Sequence, residues 1–398
     1  MNSKIYYIIL SVLIPIGMQF TYIRYISYNV DKEIYGNFIL IQIIAVLFYT
    51  VFMTIPIKAY ERFYNSSLDK FLYLNEFKTL AHFINIISAI ILFIYWKISL
   101  KFSFEDIVIL IYYISYTNLF LFTQKYFLLN MSYKDYFYNK ILESSVKFVI
   151  PLIFYVYFQT LTSFLFGLTI GYVVLYYVTT ISLREYKYNF IFIKDNFFKY
   201  IRFAYPVLFV SAFGWGISFS DRYFIEYYQG TEKVAIYALL AQTAGFSQIF
   251  AQLFNISFYP KILKEYEVDK VESIRILNRI ISYTIFLFLL IIVLVLLLPK
   301  SIFTILLEPQ MLNTHYYTFI FLIAGVLLTV LQSAHSLHLV LMNKISIMAY
   351  IQMFGLLINL IGNVFIHKYG LLAAALSTLV SYFAMILIQF IYIKTRLF

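Results

Sequence analysis

Apolar runs of about 20 residues, the length that crosses a bilayer as a helix, recur along the whole chain of 398 residues. Hydrophobic residues make up 63% of the sequence and charged residues 12%, which is more apolar surface than a water-soluble domain can bury. A segment in hydrocarbon must satisfy its backbone N–H and C=O groups internally, and these runs lack the alternation of a membrane β-strand. The sequence therefore predicts an all-α polytopic membrane protein.

The runs predict twelve transmembrane helices with no soluble domain between them. The first run follows a lysine but has no small-residue cleavage site, so we interpret it as a retained helix and not as a signal peptide. The predicted helices lie at residues 5–23, 34–57, 79–96, 107–129, 137–158, 161–183, 203–220, 234–259, 277–298, 315–341, 345–366 and 371–393.

Basic residues are distributed unevenly between the connections. If the N-terminus lies inside, most of the 30 Lys and Arg residues fall in the inner segments, as the positive-inside rule requires. We therefore expect both termini in the cytoplasm. The net charge of +11 then reflects this bias and attraction to anionic lipid, and nucleic acid is not expected as a partner.

The sequence offers little material for catalysis. There is no cysteine, no nucleophile elbow, no phosphate-binding loop and no zinc-protease motif. His335 and His338 stand at i, i+3, and we interpret them as hydrogen-bonded interior residues in preference to a metal site. The predicted outer connections are short, with only Gln159 and Thr160 after the fifth helix, so we expect no enzyme activity and no cofactor beyond coupling protons or sodium ions.

Two connections half a chain apart resemble each other. Residues 24–42 and 222–242 both begin with Arg-Tyr, pass through a charged turn, and enter an apolar helix that ends in Gln. This match predicts an internal repeat of six helices, with lobes at 1–183 and 203–398 joined by a cytoplasmic linker at 184–202. Two such bundles facing one another are typical of alternating-access transporters.

Charged residues at the ends of the repeated helices are candidates for the transport path. Arg24 and Arg222 occupy matching positions, and Asp221 is placed to hold Arg222 or to exchange partners during transport. The simpler alternative for Arg24 is that it anchors its helix at the headgroups.

The fifth predicted helix contains an acid and a base inside the membrane. Glu143 and Lys147 stand at i, i+4, so we expect an ion pair that points into the bundle, with Lys147 in the cavity or in a purely structural pair with Glu143. Lys58 and Arg62, at the inner end of the second helix, are either cavity residues or headgroup anchors. A cationic cleft indicates an anionic ligand, and phosphate is the group that Arg and Lys bind best.

Three stretches carry a family resemblance. DRYFIEYYQGTEKVAIYALLA (221–241), EIYGNFILIQ (33–42) and INLIGNVFIHKYGLLAAALSTLVSY (358–382) resemble signatures of bacterial polysaccharide flippases of the Wzx type, which export O-antigen and capsule units. The likeness covers nearly the whole chain, although Ala235 stands where many relatives have Gly. It implies the two-lobed fold of the multidrug and lipid flippase superfamily.

The resemblance also implies a function. It predicts a plasma-membrane protein of bacterial polysaccharide or lipopolysaccharide synthesis that turns a polyprenyl-pyrophosphate-linked oligosaccharide from the cytoplasmic to the outer face, alongside other polysaccharide-assembly proteins. The alternative is a cation-coupled exporter of small amphipathic molecules, which would need interior carboxylates in excess of cations, whereas Glu143 is the only carboxylate clearly inside a predicted helix. A glycan polymerase or acyltransferase is disfavoured by the short outer connections.

Overall fold

A computed structural model gives the architecture of the chain. It consists of helices and turns, with no strand in the described residues, and it divides into two compact units. The N-terminal unit comprises Met1–Tyr22 and Asn37–Ala212, and the C-terminal unit comprises Ile23–Gly36 and Phe213–Phe398. Two equivalent six-helix lobes joined by a linker at 184–202 stay a prediction. The structure describes residues 3–64, 69–99, 102–183, 187–248, 262, 265, 266 and 268–397.

The first half of the chain forms nine helices within its described residues. A π-helical turn, Phe48–Phe52, continues α2, and a second, Ser145–Val149, joins α6 to α7. The helices are α1 (Ser3–Asn29), α2 (Lys32–Leu47), α3 (Thr54–Phe63), α4 (Lys70–Ser99), α5 (Phe104–Leu129), α6 (Tyr133–Ser144), α7 (Ile150–Phe158), α8 (Leu161–Ile181) and α9 (Lys194–Gln229).

The second half is helical as well. In this half α14 packs along α17, and α15 packs on the same helix. The helices that are described in full are α10 (Thr231–Ala244), α11 (Lys270–Leu297), α12 (Lys300–Phe303), α13 (Pro309–Thr314), α14 (Tyr316–Leu341), α15 (Ile345–Asn363), α16 (Ile366–Tyr369) and α17 (Leu371–Leu397).

Eleven helical segments of the described chain are long and apolar enough to cross a membrane. They coincide with eleven of the twelve predicted spans, so the prediction of an all-α polytopic membrane protein is confirmed. The remaining predicted span, 234–259, is described only as far as Gln248, where a 3₁₀ turn follows α10. The rest of that span lies outside the described residues.

Several helices begin earlier than the apolar pattern predicts. Helix α4 starts at Lys70 and α9 at Lys194, nine residues before the predicted starts at 79 and 203. Apolar runs mark the part of a helix in hydrocarbon, whereas hydrogen bonding within the helix continues into the polar interface. As a result Lys78, predicted in a connection, is a fully buried residue of α4 whose ammonium group lies 5.0 Å from the centre of the Tyr176 ring.

Aromatic side chains fill the core of the N-terminal unit. Tyr60 of α3 stacks on Tyr73 of α4 with ring centres 5.3 Å apart, and it meets Phe77 and Phe122 edge-on at 5.2 and 5.6 Å. Such offset and edge-to-face pairs are the favoured arrangements of aromatic rings. Part of the high aromatic content is therefore used in packing α3, α4 and α5 together.

The C-terminal unit brings together the two stretches that the sequence identifies as a repeat. A side chain at Gly36, in α2, would meet the carbonyl oxygen of Thr231 at the start of α10 at 2.0 Å, so only glycine allows this approach. A second contact joins the same helices, because Gln242 Nε2 of α10 donates to the hydroxyl of Tyr35 in α2 at 3.0 Å. The starts of α2 and α10 thus pack directly on one another.

Candidate substrate site

The carboxylate of Glu143, in the N-terminal unit, accepts two hydrogen bonds. Lys140 Nζ donates to Glu143 Oε2 at 2.7 Å, and Gln124 Nε2 of α5 donates to the same oxygen at 2.8 Å. Charge-assisted hydrogen bonds of this length are among the stronger ones in proteins. Lys140 precedes Glu143 by three residues on the same helix. The predicted Glu143–Lys147 ion pair is therefore replaced by a Lys140–Glu143 ion pair.

The reason lies in the backbone just after Glu143. The π-helical turn Ser145–Val149 carries Lys147. In an α-helix, side chains at i and i+4 share a face, but a π turn bonds i to i+5 and rotates the following residues away from that face. Lys147 makes no ion pair or hydrogen bond with a described residue, is exposed, and has the Phe148 ring centre 5.5 Å from its ammonium nitrogen.

A second cluster lies at the end of α3. Glu61 Oε2 accepts from Lys58 Nζ at 2.9 Å, and Glu61 Oε1 accepts from Lys125 Nζ of α5 at 2.5 Å. Arg62, the next residue, is exposed and makes no ion pair within the described part of the chain. Glu61 therefore offsets only one of its two lysines, and Arg62 has no carboxylate partner in the described part of the chain.

Two opposing effects act on the Glu61 carboxyl group, which lies in the connection between two membrane-spanning segments. Burial disfavours its charged form, but the ammonium groups of Lys125 and Lys58 outweigh burial and hold the pKa of Glu61 below its usual range. Glu61 is therefore ionised at neutral pH, and the cluster carries one net positive charge.

The two clusters are anchored on consecutive residues of one helix. Gln124 binds Glu143, and Lys125 binds Glu61. The charged side chains of the two clusters have an excess of positive charge, since they comprise five bases and two carboxylates. The set consists of Lys58, Arg62, Lys125, Lys140 and Lys147 with Glu61 and Glu143.

The C-terminal unit contains the Asp-Arg pair. Asp221 is 1% exposed; its Oδ1 accepts from Arg222 Nη1 at 2.7 Å and its Oδ2 from the Tyr237 hydroxyl at 2.7 Å. The Arg222 guanidinium also binds the backbone carbonyl of Ser218 and lies 5.2 Å from the centres of the Phe219 and Tyr237 rings. Asp221 thus holds Arg222, which is one of the two roles the sequence suggested for it.

Next to this pair lies a neutral polar network. Asn359 Oδ1 accepts from Ser220 Oγ and from Asn363 Nδ2, both at 3.0 Å. Asn359 Nδ2 donates to Thr378, and Asn363 Oδ1 accepts from Ser377 Oγ at 2.6 Å. Buried amides with most of their bonds satisfied hold helices in a fixed register. The network ties α9, α15 and α17 together.

Arg24 has a different environment from Arg222. Its Nη1 donates to the backbone carbonyl of Ile305, and the hydroxyl of neighbouring Tyr28 donates to that of Thr304 at 2.6 Å. Both carbonyls belong to the turn after α12. An arginine that binds a backbone carbonyl is not neutralised, so Arg24 keeps its charge, whereas Arg222 has a carboxylate partner.

The histidine pair is buried in α14. His335 and His338 are 8% and 2% exposed, with ring centres 6.5 Å apart, and the Nδ1 atom of each has no hydrogen-bond partner among the described residues. The described residues contain no group of three or more His, Asp or Glu side chains that could hold a metal ion. The sequence predicted that these histidines are hydrogen-bonded in the interior; they are buried, but no described residue bonds to their Nδ1 atoms.

The comparisons with known proteins agree with this architecture. Residues 206–365 match the protein-family model MatE. The structure of the lipid II flippase MurJ in an inward closed conformation superposes with a TM-score of 0.77 at 16% identity, covering 98% of this chain and 87% of that one. The chain has the fold of the MOP superfamily transporters. No curated protein matches the sequence.

Two further structures have the same fold. An inward-facing multidrug resistance transporter of the MATE family, in the MOP superfamily, has a TM-score of 0.68 at 14% identity and covers 98% of both chains. A MOP superfamily transporter from Pyrococcus furiosus has a TM-score of 0.57 at 12% identity and covers 98% of this chain and 95% of that one. These proteins are transporters and flippases, not enzymes, and the shared MOP fold is that of a multi-pass membrane protein.

Some residues of the site were not expected from the sequence. Lys140 and Lys125 are bound to Glu143 and Glu61, yet neither lysine was among the residues expected to form the site. The spacing of Lys140 and Glu143 at i, i+3 was a visible signal, whereas the contacts of Lys125 and Gln124 cross between helices. Tyr237 could not be connected to Asp221 from sequence, since the two lie 16 positions apart on different helices.

Proposed function

We propose that this protein is a membrane transporter that turns a lipid-linked anionic substrate, a polyprenyl-pyrophosphate-linked oligosaccharide, from the cytoplasmic to the outer face of the bacterial plasma membrane. One observation carries the proposal. Lys147 lies in the middle of a membrane-spanning segment, Tyr133–Phe158, exposed and with no ion pair or hydrogen bond to a described residue. A cation at that depth costs several kcal/mol unless it faces water or an anion.

The charges around Lys147 support an anionic ligand. Lys140 neutralises Glu143, so the nearest carboxylate is already occupied. A pyrophosphate group has several oxygens that accept charge-assisted hydrogen bonds from ammonium and guanidinium groups. We propose that Lys147 binds the pyrophosphate, that Arg62, Arg24 and Arg222 contribute to the path, and that Lys58 adds to the positive field.

The resemblance to polysaccharide flippases in sequence and the likeness to a lipid II flippase in fold both support a lipid-linked substrate. With the cytoplasmic termini that the basic residues predict, the substrate would be loaded from the side on which such intermediates are made. Other proteins of polysaccharide assembly would supply and remove it. Protons or sodium ions are proposed as the coupling ions.

The test is transfer of a labelled polyprenyl-pyrophosphate oligosaccharide between the leaflets of liposomes. We expect protein-dependent transfer that Lys147→Ala abolishes. The matched control is Lys134→Ala, which removes an exposed lysine of α6 that makes no ion pair or hydrogen bond with a described residue. Normal transfer by the Lys147 variant, or equal loss in both variants, would contradict the proposed site.

One observation favours the second candidate, a cation-coupled exporter. Helices α4 and α9 extend beyond the apolar runs, so Glu76 and Asp221 lie in the helical segments Lys70–Ile98 and Lys194–Gln229, which are long and apolar enough to cross a membrane. Glu76 is 5% exposed and is held by neutral donors, Asn196 Nδ2 at 3.0 Å and the Tyr200 hydroxyl at 3.2 Å. A buried carboxyl with neutral donors is suited to taking up a proton.

The two candidates separate experimentally. If vesicles with the protein extrude a small amphipathic cation in response to a pH gradient, and Glu76→Gln abolishes this extrusion, the exporter is correct. If the same vesicles transfer the lipid-linked oligosaccharide and do not extrude the cation, the flippase is correct.

A further inference from the structure

The segment that connects α8 to α9 is fixed on α4 by side chains. Asn75 Nδ2 donates to the carbonyl of Lys187 at 3.1 Å, and Asn75 Oδ1 accepts from the backbone N–H of Asn189 at 3.2 Å. The backbone N–H of Ile191 donates to Thr79 Oγ1 at 3.1 Å. Residues 187–193, which were predicted as part of a linker, form no helix and have a defined position on the N-terminal unit.

An apolar groove lies beside this segment. It has a volume of 460 Å³, within the range of small-molecule sites. Tyr200 supplies the hydroxyl among its lining residues, and that hydroxyl is bonded to Glu76. Five parts of the chain line the groove: the π-helical turn that follows α2, helix α3, helix α4, the connecting segment, and the start of α9. The lining residues are Phe52, Ile55, Pro56, Leu80, Phe83, Ile84, Ile87, Phe192, Phe197, Tyr200 and Ile201.

A second pocket, of 810 Å³ and with charged residues in its lining, adjoins the groove, and Ile201 lines both. The charged residues that line this pocket are two bases, Lys199 and Arg202, and one carboxylate, Asp195. Both bases are exposed. The ammonium nitrogen of Lys199 lies 4.3 Å from the centre of the Phe63 ring. The pocket has a net positive charge and adjoins a groove that is almost entirely apolar.

The rim of the groove is exposed and apolar. Phe83 is 40% exposed, Ile87 50% and Phe192 45%. In a protein that spans the membrane, exposed apolar side chains face lipid, and the basic residues that follow them in α9 mark the headgroup level. The groove is thus open to the bilayer at the depth where acyl chains begin.

We propose that the groove and the pocket together hold one anionic membrane phospholipid, with an acyl chain along the groove and its phosphate against Lys199 and Arg202. Charge complementarity decides the class of ligand, because two bases beside an apolar channel match an amphiphile with an anionic head. The site is distinct from the Lys140–Glu143–Lys147 cluster and does not depend on which substrate is transported.

The headgroup contact is tested with the full chain in detergent, titrated with phosphatidylglycerol or phosphatidylcholine of the same acyl chains, with bound lipid counted by native mass spectrometry. We expect one phosphatidylglycerol to bind in preference. K199Q/R202Q should weaken this binding about 25-fold, since each base near an anionic surface contributes about fivefold. The control is K187Q/K194Q, which removes the same charge from exposed residues outside the pocket.

An equal loss in both double variants, or no preference for phosphatidylglycerol in the wild type, would overturn the proposal. So would displacement of phosphatidylglycerol by a polyprenyl phosphate at a lower concentration, because the site would then belong to a substrate carrier.

The acyl-chain contact is tested at neighbouring residues of α4. Ile87→Trp places an indole over the groove, and Ile86→Trp places the same indole at a residue that is 59% exposed and does not line it. We expect the Ile87 variant to lose most of its bound lipid of either headgroup and the Ile86 variant to retain it. Melting temperatures in detergent verify that both variants are folded. Retained lipid in a folded Ile87 variant would show that no chain occupies the groove.

Discussion

The carboxylate of Glu143 binds the ammonium group of Lys140 at 2.7 Å, while Lys147, four residues further along, makes no ion pair in the described part of the chain. The π-helical turn Ser145–Val149, which contains Lys147, contributes to this separation because it rotates Lys147 out of the face that Glu143 occupies. In a regular α-helix, Glu143 would pair with Lys147, whereas here the ammonium group of Lys147 stays unpaired and exposed. Turns of this kind are frequent at functional sites.

The Lys140–Glu143 pair should keep Glu143 away from Lys147. We predict that Lys140→Gln lowers transfer of the lipid-linked substrate about tenfold, an effect of the size of one charge-assisted hydrogen bond, because the freed carboxylate would compete with the substrate for Lys147. The double variant K140Q/E143Q, which removes the competitor as well, should recover most of the activity in the liposome assay. A double variant as defective as Lys140→Gln would show that Lys140 acts in another way.

Asp221 should be a stability determinant of the C-terminal unit. It is buried and neutralises Arg222, so Asp221→Ala would leave an unpaired guanidinium in a poorly hydrated place, at a cost of about 3–5 kcal/mol. The measurement is unfolding in detergent by denaturant or heat. Glu232→Ala, an exposed carboxylate of α10, serves as the control and should change stability little. Unaltered unfolding of the Asp221 variant would contradict this role.

Tight packing of α2 against α10 should depend on Gly36. A methyl group there would overlap the Thr231 carbonyl oxygen, so Gly36→Ala should destabilise the protein by about 1–3 kcal/mol, the usual cost of overpacking. Gly17→Ala is the matched control, because nothing lies within 4 Å of an added methyl group there and alanine is the better helix former. Melting temperatures of the two variants should therefore move in opposite directions, and a parallel shift would refute the packing argument.

The Glu61 cluster should make stability depend on acidity. Because the pKa of Glu61 is below its ordinary value of 4.5, its ion pairs stabilise the folded protein fully above that value, and this contribution is lost as the pH falls through the lower folded-state pKa. Melting temperatures of the wild type and Glu61→Gln should differ at pH 7 and converge as the pH falls below 4.5. A difference that persists unchanged in acid would show that Glu61 stabilises by packing alone.

The class of the protein and most of its helices follow from sequence alone. Hydrocarbon forces each long apolar run into a helix, so eleven of the predicted spans could be placed from hydropathy, and the two-residue turn at Gln159 and Thr160 was visible as well. The same reasoning placed Asp221 beside Arg222, because the two are neighbours in the chain and a buried arginine needs a partner.

Tertiary structure decided which charges remain available. The Lys125–Glu61 and Gln124–Glu143 contacts cross between helices, and no spacing along the chain encodes such a meeting. The π turn that separates Lys147 from Glu143, and the extension of α4 that buries Lys78 and Glu76, depend on how neighbouring helices pack. Apolar periodicity reports how far a segment lies in lipid, whereas the choice of ion partner is made by the side chains that packing brings within reach.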